Sequence, residues 1–257
     1  MIPTTLQMVS YNIQNGIHAE QIANTIYKLA RSGVHLFCLQ EVRKIGDSPF
    51  IGDLIKNSLD SNWKAYYYLS DGQEEFDYGV AFLWNPTILR MHHIDRIALP
   101  KREKLSIIES LIEKILINRT VPVSRGAIIG TFTYERKNIR VTNVHLDWQG
   151  GPNHRLDQLK YVQSIINKKQ KSTYEIVVGD FNTVGLSLSF RKNEQAIKNV
   201  LGNDFSSAFS QLLPTTNTFF PQRLDYVFVK NLGVTDLKIL PYPGSDHYPL
   251  QVGISFR

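Results

Sequence analysis

Apolar residues fall along this chain in short strand-like runs that alternate with longer helical stretches, a pattern that predicts an α/β domain. Strand-type runs rich in Val, Ile, Phe and Tyr, bounded by Gly, Asn, Asp or Pro, are predicted over 6–12, 34–40, 63–69, 79–84, 127–134, 139–146, 175–179, 225–229 and 249–256. VHLFCL and EIVVG are almost wholly apolar, as in strands covered on both faces. WKAYYYL and RVTNVHL alternate, as in half-covered strands. Between the runs, HAEQIANTIYKLARSG places Ile22, Ile26 and Leu29 on one helical face, with Gly33 as the stop. NHRLDQLKYVQSIINKK repeats Leu156, Leu159, Val162, Ile165 and Ile166, and KLSIIESLIEKILIN repeats Leu105, Ile108, Leu111, Ile112 and Ile115. The interleaving implies strands in mixed order with helices on the outer faces, in one domain over 1–257. The helix at 104–117 reads as an insertion near 95–123 whose stripe packs on the domain body. The alternative is an amphipathic surface element that meets a partner or a membrane.

Several of the apolar runs end on a polar residue able to do chemistry. They deliver Asn12 in MVSYNIQNG, Glu41 in VHLFCLQEV, His145 in RVTNVHLDW, and Asp180 and Asn182 in EIVVGDFNT. Asp225 in RLDYVFV and the adjacent Asp246 and His247 in GSDHYPL complete the set. One such segment alone is weak evidence, because Asp and Asn also build turns and a lone Asp-His pair is more often structural. Together they read as one site assembled from many strand ends. Asp180 is placed to orient or deprotonate a water, and Asn182, two residues on, to donate to developing charge. His247 beside a carboxylate favours the imidazolium form, with Asp225 as a second carboxylate for that task. His145 is placed to hold a phosphate oxygen. Oxygen donors from Asn12 and Glu41, without thiolate, favour Mg²⁺ or Mn²⁺ over Zn²⁺. The inventory is that of metal-assisted phosphate-ester hydrolysis.

Composition adds constraints. With 42% apolar and 20% charged residues the chain is an ordinary water-soluble globular protein. No apolar run reaches the roughly 20 residues of a membrane span, and MIPTTLQMVSYN carries no signal-peptide pattern, so a cytoplasmic setting is expected. Cys38, the single cysteine, sits in LFCL and reads as a buried packing residue. The net charge of +6 is spread over clusters at 101–104, 135–140 and 168–171 and leans toward an anionic substrate.

The segments SYNIQNG, LQEV, DYGVAFLW, RGA at 125–127, NVHLDW, GDFNT, RLDYVF and GSDHYPL resemble, in order, the endonuclease/exonuclease/phosphatase superfamily of metal-dependent phosphoesterases. The resemblance covers about residues 8 to 250. It implies a DNase I-like, two-sheet, four-layer α/β sandwich with the site at one edge. It also implies that Asn12 and Glu41 are metal ligands with Asp246 contributing, and that Asp180 activates the attacking water. Asn182, His145 and His247 are implied as donors to phosphoryl oxygens, and Asp225 as the carboxylate that orients His247.

Substrate is the open question. The chain lacks the tryptophan-rich signature of inositol polyphosphate phosphatases and the His-rich segment of secreted sphingomyelinases, and it shows no clear signature of abasic-site nucleases. The basic balance and candidate stacking aromatics, Trp148 and Tyr66–Tyr68, favour a nucleic-acid phosphodiesterase. An anionic lipid or small phosphoester as substrate is the alternative, and a non-catalytic binding module the third.

Overall fold

The structure, a computed structural model, describes residues 5–43, 51–59, 62–69, 79–102, 124–185 and 187–256. The helical pattern predicted over 104–117 lies outside the described residues, as do Asp77 and Tyr78 of DYGVAFLW. Twelve strands are present among the described residues: β1 Leu6–Asn12, β2 Leu36–Val42, β3 Lys64–Leu69, β4 Gly79–Trp84, β5 Arg90–Ala98, β6 Gly126–Tyr134, β7 Lys137–His145, β8 Tyr174–Asp180, β9 Phe205–Ser207, β10 Asp225–Lys230, β11 Leu232–Ile239 and β12 Leu250–Phe256. They form two six-stranded sheets, ordered β11-β12-β1-β2-β4-β3 and β5-β6-β7-β8-β10-β9. The α-helices are α1 Ala19–Arg31, α2 Ile51–Ser58, α3 Gly151–Lys168 and α4 Phe190–Leu201. No helix of the described residues is long and apolar enough to cross a membrane.

The two-residue period of each strand sorts its side chains between the layers. From β2, Leu36 and Cys38 enter the core between the sheets, with Met8 of β1, Phe82 of β4, Val141 of β7 and Val178 of β8. Phe37 and Leu39 point the other way and are covered by Ile22, Ile26 and Leu29 of α1. On the second sheet Val144 and Val177 face Leu159 and Val162 of α3 and Ile197 of α4. Each fully buried aliphatic side chain stabilises the fold by about 1.5–3 kcal/mol relative to exposure, so these three clusters hold the sandwich.

Several expectations change. Residues 95–98 do not begin an insertion; they complete β5, an edge strand whose alternation is blurred because most of it is exposed or half-buried. RVTNVHL is covered on both faces, since Ile139–His145 is buried throughout. Its polar inner residue, Asn143, is tolerated because it is fully bonded across the core. Asn143 Nδ2 donates to the Leu39 and Ala81 carbonyls (3.0 Å each), and Gln40 Nε2 donates to Asn143 Oδ1 at 2.7 Å. Tyr66–Tyr68 form no stacking platform: Tyr66 and Tyr68 pack with the inter-sheet core, and Tyr67 packs on the helical side.

Candidate active site

The inner-facing positions of four strands change character toward one end of the sandwich. Along β1 they run Leu6, Met8, Ser10, Asn12; along β2, Leu36, Cys38, Gln40; along β7, Ile139, Val141, Asn143, His145; along β8, Ile176, Val178, Asp180. The inter-sheet core thus passes from apolar side chains through hydrogen-bonded amides into a charged cluster. In the second sheet His145 pairs in register with Asp180, and Asp180 with Asp225, so the three stand on one rung. Strand spacing of about 4.8 Å then brings their side chains together. Gly179 makes this possible, because a Cβ there would lie 2.0 Å from the Val144 carbonyl oxygen and φ is +137°.

Glu41 breaks the period. After inward-facing Gln40 it would turn toward the helices, but β2 is irregular between Gln40 and Val42 and Glu41 adopts φ +56°. Such a bulge re-aims a side chain, here turning Glu41 toward the cluster. Its carboxylate reaches His145 Nε2 at 3.7 Å.

The geometry brings the predicted residues into one cluster. Asn12 Nδ2 donates to Asp180 Oδ2 at 2.9 Å, linking the two sheets. The Asn182 backbone N–H donates to Asp180 Oδ1 at 2.8 Å. His145 Nε2 and His247 Nε2 converge on Asp180 Oδ2, at 3.6 and 4.0 Å. His247 Nδ1 meets Asp225 Oδ2 at 2.8 Å, and Thr215 Oγ1 donates to the same oxygen at 2.7 Å. Ser245 Oγ donates to the Asn12 carbonyl at 2.7 Å and receives the His247 N–H at 3.1 Å, tying the loop of Asp246 and His247 to β1.

Asn182 bonds within the site. The chain leaves the strand after Asp180, Asn182 adopts φ +51°, and its amide donates to the Leu146 carbonyl at 2.9 Å and to Asp180 Oδ2 at 3.3 Å. Here it holds Asp180 in place. Asp147, two residues after His145, stands apart from the cluster: it receives the Gln149 N–H at 3.1 Å, and its own N–H goes to Gln158 of α3 at 2.8 Å. Trp148 is half-buried.

The two imidazoles are tuned in opposite senses. Burial, then Arg125 and His247, push the His145 pKa well below its ordinary value. Arg125 Nη1 approaches His145 Nδ1 at 3.2 Å, and since guanidinium only donates, Nδ1 accepts and the neutral ring carries its proton on Nε2. That Nε2 is buried without a hydrogen-bond partner. Burial also works against a charged His247, but Asp225, then Asp180 and Asp246, outweigh it and push its pKa up to about 10. Burial raises the carboxyl pKa of Asp180, partly offset by His247, and that of Glu41, partly offset by Arg125 and His247.

For a cation, the donor chemistry fits at Asn12, Glu41 and Asp246. Asn12 commits its nitrogen to Asp180, while its oxygen accepts only the Gln14 N–H at 3.0 Å. Glu41 is a desolvated carboxylate that Arg125, His247 and a hydrogen bond with Asn12 offset only in part, a costly state that a hard divalent ion would relieve. Asp180, Asp225 and His247 also bring ligand atoms within 4.8 Å of one another. In that group the short His247–Asp225 pair already engages one ligand atom of each residue. Arg125, Thr215, Ser245 and Asn143 had no assigned role in the sequence reading. Their parts depend on partners 10 to 233 positions away and leave no local signal.

Two mixed sheets covered by helices, with an Asp/His cluster at one end, define a DNase I-like α/β sandwich. The chain belongs to the endonuclease/exonuclease/phosphatase family, whose model matches residues 9–247. Similar solved structures include an endonuclease/exonuclease/phosphatase family protein from Bacteroides thetaiotaomicron, with 16% identity, a TM-score of 0.73 and 100% of both chains covered. D. rerio TDP2 complexed with a single-strand DNA product shares 15% identity at a TM-score of 0.71, over 98% of this chain and 100% of that one. The mannosyl-6-phosphatase of Bacteroides thetaiotaomicron VPI-5482 shares 17% identity at 0.71, with the same coverage. No curated protein matches the sequence.

Proposed function

We propose that this chain is a divalent-metal-dependent hydrolase of phosphate esters, working by in-line attack of water. The observation that supports it best is the convergence of a neutral and a charged imidazole on one buried carboxylate, Asp180, beside the oxygen donors Asn12 and Glu41. Asp180, its basicity raised by burial, orients the water and takes its proton as oxygen attacks phosphorus. The bond from phosphorus to the leaving oxygen breaks, and that oxygen is protonated from solvent. Charge that develops on the phosphoryl oxygens meets the Nε2 protons of neutral His145 and of His247, which Asp225 keeps charged. Asn12 and Glu41, with Asp246 contributing, would hold a magnesium or manganese ion, which when bound would supply neutralisation of phosphate and leaving-group charge. Asn12 and Asn182 keep Asp180 aligned.

A nucleic-acid phosphodiester as substrate draws on the net charge of +6 and on the fold shared with TDP2. A second reading, a lipid or small phosphoester, is favoured by one observation: the loops that follow β8 and precede β10, beside the site, carry no exposed charge. The test is a panel of single- and double-stranded DNA, RNA, abasic duplex, inositol phosphates, sugar phosphates and sphingomyelin, with Mg²⁺ or EDTA. The Asp180→Ala variant is expected to fold normally and lose about 10²–10³-fold or more in rate. Near-wild-type turnover by that variant, or turnover undiminished in EDTA, would overturn the assignment.

A further inference from the structure

Among the described residues nine large apolar side chains stand exposed, and six of them lie on two loops that frame the site. Val184 and Leu188, 55% and 94% exposed, follow β8. Leu212, Leu213, Phe219 and Phe220 lie between β9 and β10, with the two phenylalanines 92% and 68% exposed. Scattered exposed apolar residues are ordinary, but a concentration beside a functional site marks an interaction surface.

The same loops carry no exposed charge, Arg223 at the end of the second being buried. No Asp, Glu, Lys, Arg or His occurs between Asp180 and Arg191, or between Asp204 and Arg223. Nor are they loosely hung. Thr218 Oγ1 donates to the Phe220 carbonyl at 2.7 Å, and the Gln222 N–H to Thr216 Oγ1 at 2.8 Å. The Gly185 N–H donates to Gln222 Oε1 at 2.8 Å, which joins the two loops. Thr216 pairs with His247, and the Asn217 N–H reaches the Asp246 carbonyl at 2.7 Å. Phe219 is therefore within about 10 Å of chain from the site's own scaffold. The two rings pack edge to face, 4.9 Å apart, at the outer end of this loop.

The chemistry of the surface selects its partner. A loop built to follow a nucleic-acid strand carries exposed Lys or Arg for its phosphates, and these loops have none, since Arg223 is buried and paired with Glu194. Aromatic and aliphatic tips suit the boundary of a bilayer, where apolar side chains leave water and nearby basic residues meet anionic headgroups. Those basic residues are present. Arg191 and Lys192 are exposed just beyond the first loop, and Arg191 lines one cavity with Leu212.

We propose that the two loops dock onto an anionic phospholipid bilayer, with Phe219 and Phe220 inserting and Arg191 and Lys192 engaging headgroups. The docking would turn the site toward the lipid surface. It rests on the catalytic reading only for its purpose, because the surface is defined by exposure and charge alone.

The experiment is co-sedimentation with vesicles of phosphatidylcholine, with and without phosphatidylglycerol, run in EDTA so that binding is measured without turnover. Wild type is expected to bind the mixed vesicles. Phe219→Ser with Phe220→Ser is expected to weaken that binding by about tenfold or more per phenylalanine. Arg191→Glu with Lys192→Glu should weaken binding only where phosphatidylglycerol is present. As an independent readout, Phe219→Trp should show a blue-shifted emission when vesicles are added. Absence of vesicle binding by wild type, or unchanged binding by the double Phe variant, would overturn the proposal. So would a double Phe variant whose only defect is a raised KM for an oligonucleotide, which would make the pair a base-stacking platform. Phe-dependent vesicle binding by a protein inactive on every phosphoester would instead leave the docking intact and remove the catalytic reading.

Discussion

His247 and His145 are the same residue type at the same cluster, and their surroundings give them opposite charge states. Asp225 at 2.8 Å holds His247 as an imidazolium, and Arg125 at 3.2 Å helps keep His145 neutral. Replacing Asp225 by Asn removes the charge and leaves the shape, so the His247 pKa is expected to fall, read by NMR titration of the ring in metal-free protein. A His247 titration unchanged in Asp225→Asn would refute the pairing. The sign for stability follows. The folded-state pKa of about 10 lies above the unfolded value of ~6.5. The pair's contribution is thus fully present below about pH 6.5 and is lost as pH rises through about 10. Thermal melts of wild type and Asp225→Asn should accordingly differ most in mildly acidic buffer and converge toward alkaline pH.

Strands position the site through their alternation, and that is why so much of it was legible. Ser10 and Asn12 continue the inward series of Leu6 and Met8, and Asp180 continues that of Ile176 and Val178. A polar residue at the end of an apolar run could be recognised without knowing its partners. Glu41 was recognised by the same rule although it breaks the period, since the bulge that turns it inward leaves no mark in LFCLQEV. The cross-sheet bonds were not legible: Asn143 and Gln40 are 103 positions apart. Edge elements were missed for a different reason. β5 and β11 are half-solvated, and α4 buries only Phe190, Ile197 and Leu201, too sparse a stripe to announce a helix. The Asn143 cross-link has a measurable consequence. Asn143→Ala strands the Leu39 and Ala81 carbonyls and the Gln40 amide next to the charged cluster. Urea unfolding should show a loss of about 2–4 kcal/mol; a loss below about 0.5 kcal/mol would mean that the sheets do not depend on this bond.

At the scale of the whole molecule, one end of the sandwich is built against its own stability. Glu41 and Asp180 are desolvated carboxylates, both with raised pKa values, gathered where the two sheets meet. On the proposed function, a cation bound there by the folded protein alone would offset that cost and link binding to stability. At a metal concentration one hundred times the dissociation constant the linkage amounts to about 2.7 kcal/mol. The melting temperature should therefore rise on adding Mg²⁺ or Mn²⁺ and fall back with EDTA. Glu41→Gln keeps the side chain's size and removes its charge. In EDTA this variant should be at least as stable as wild type, because a desolvated charge that Arg125 and His247 offset only in part is gone. With metal added it should gain little. The two halves test different things: a Glu41→Gln protein that melts lower in EDTA would show that the carboxylate is held by the fold itself. One that gains as much from metal as wild type would place the ion elsewhere, and the Asp180, Asp225 and His247 cluster would then be the site to examine by substitution of each ligand in turn.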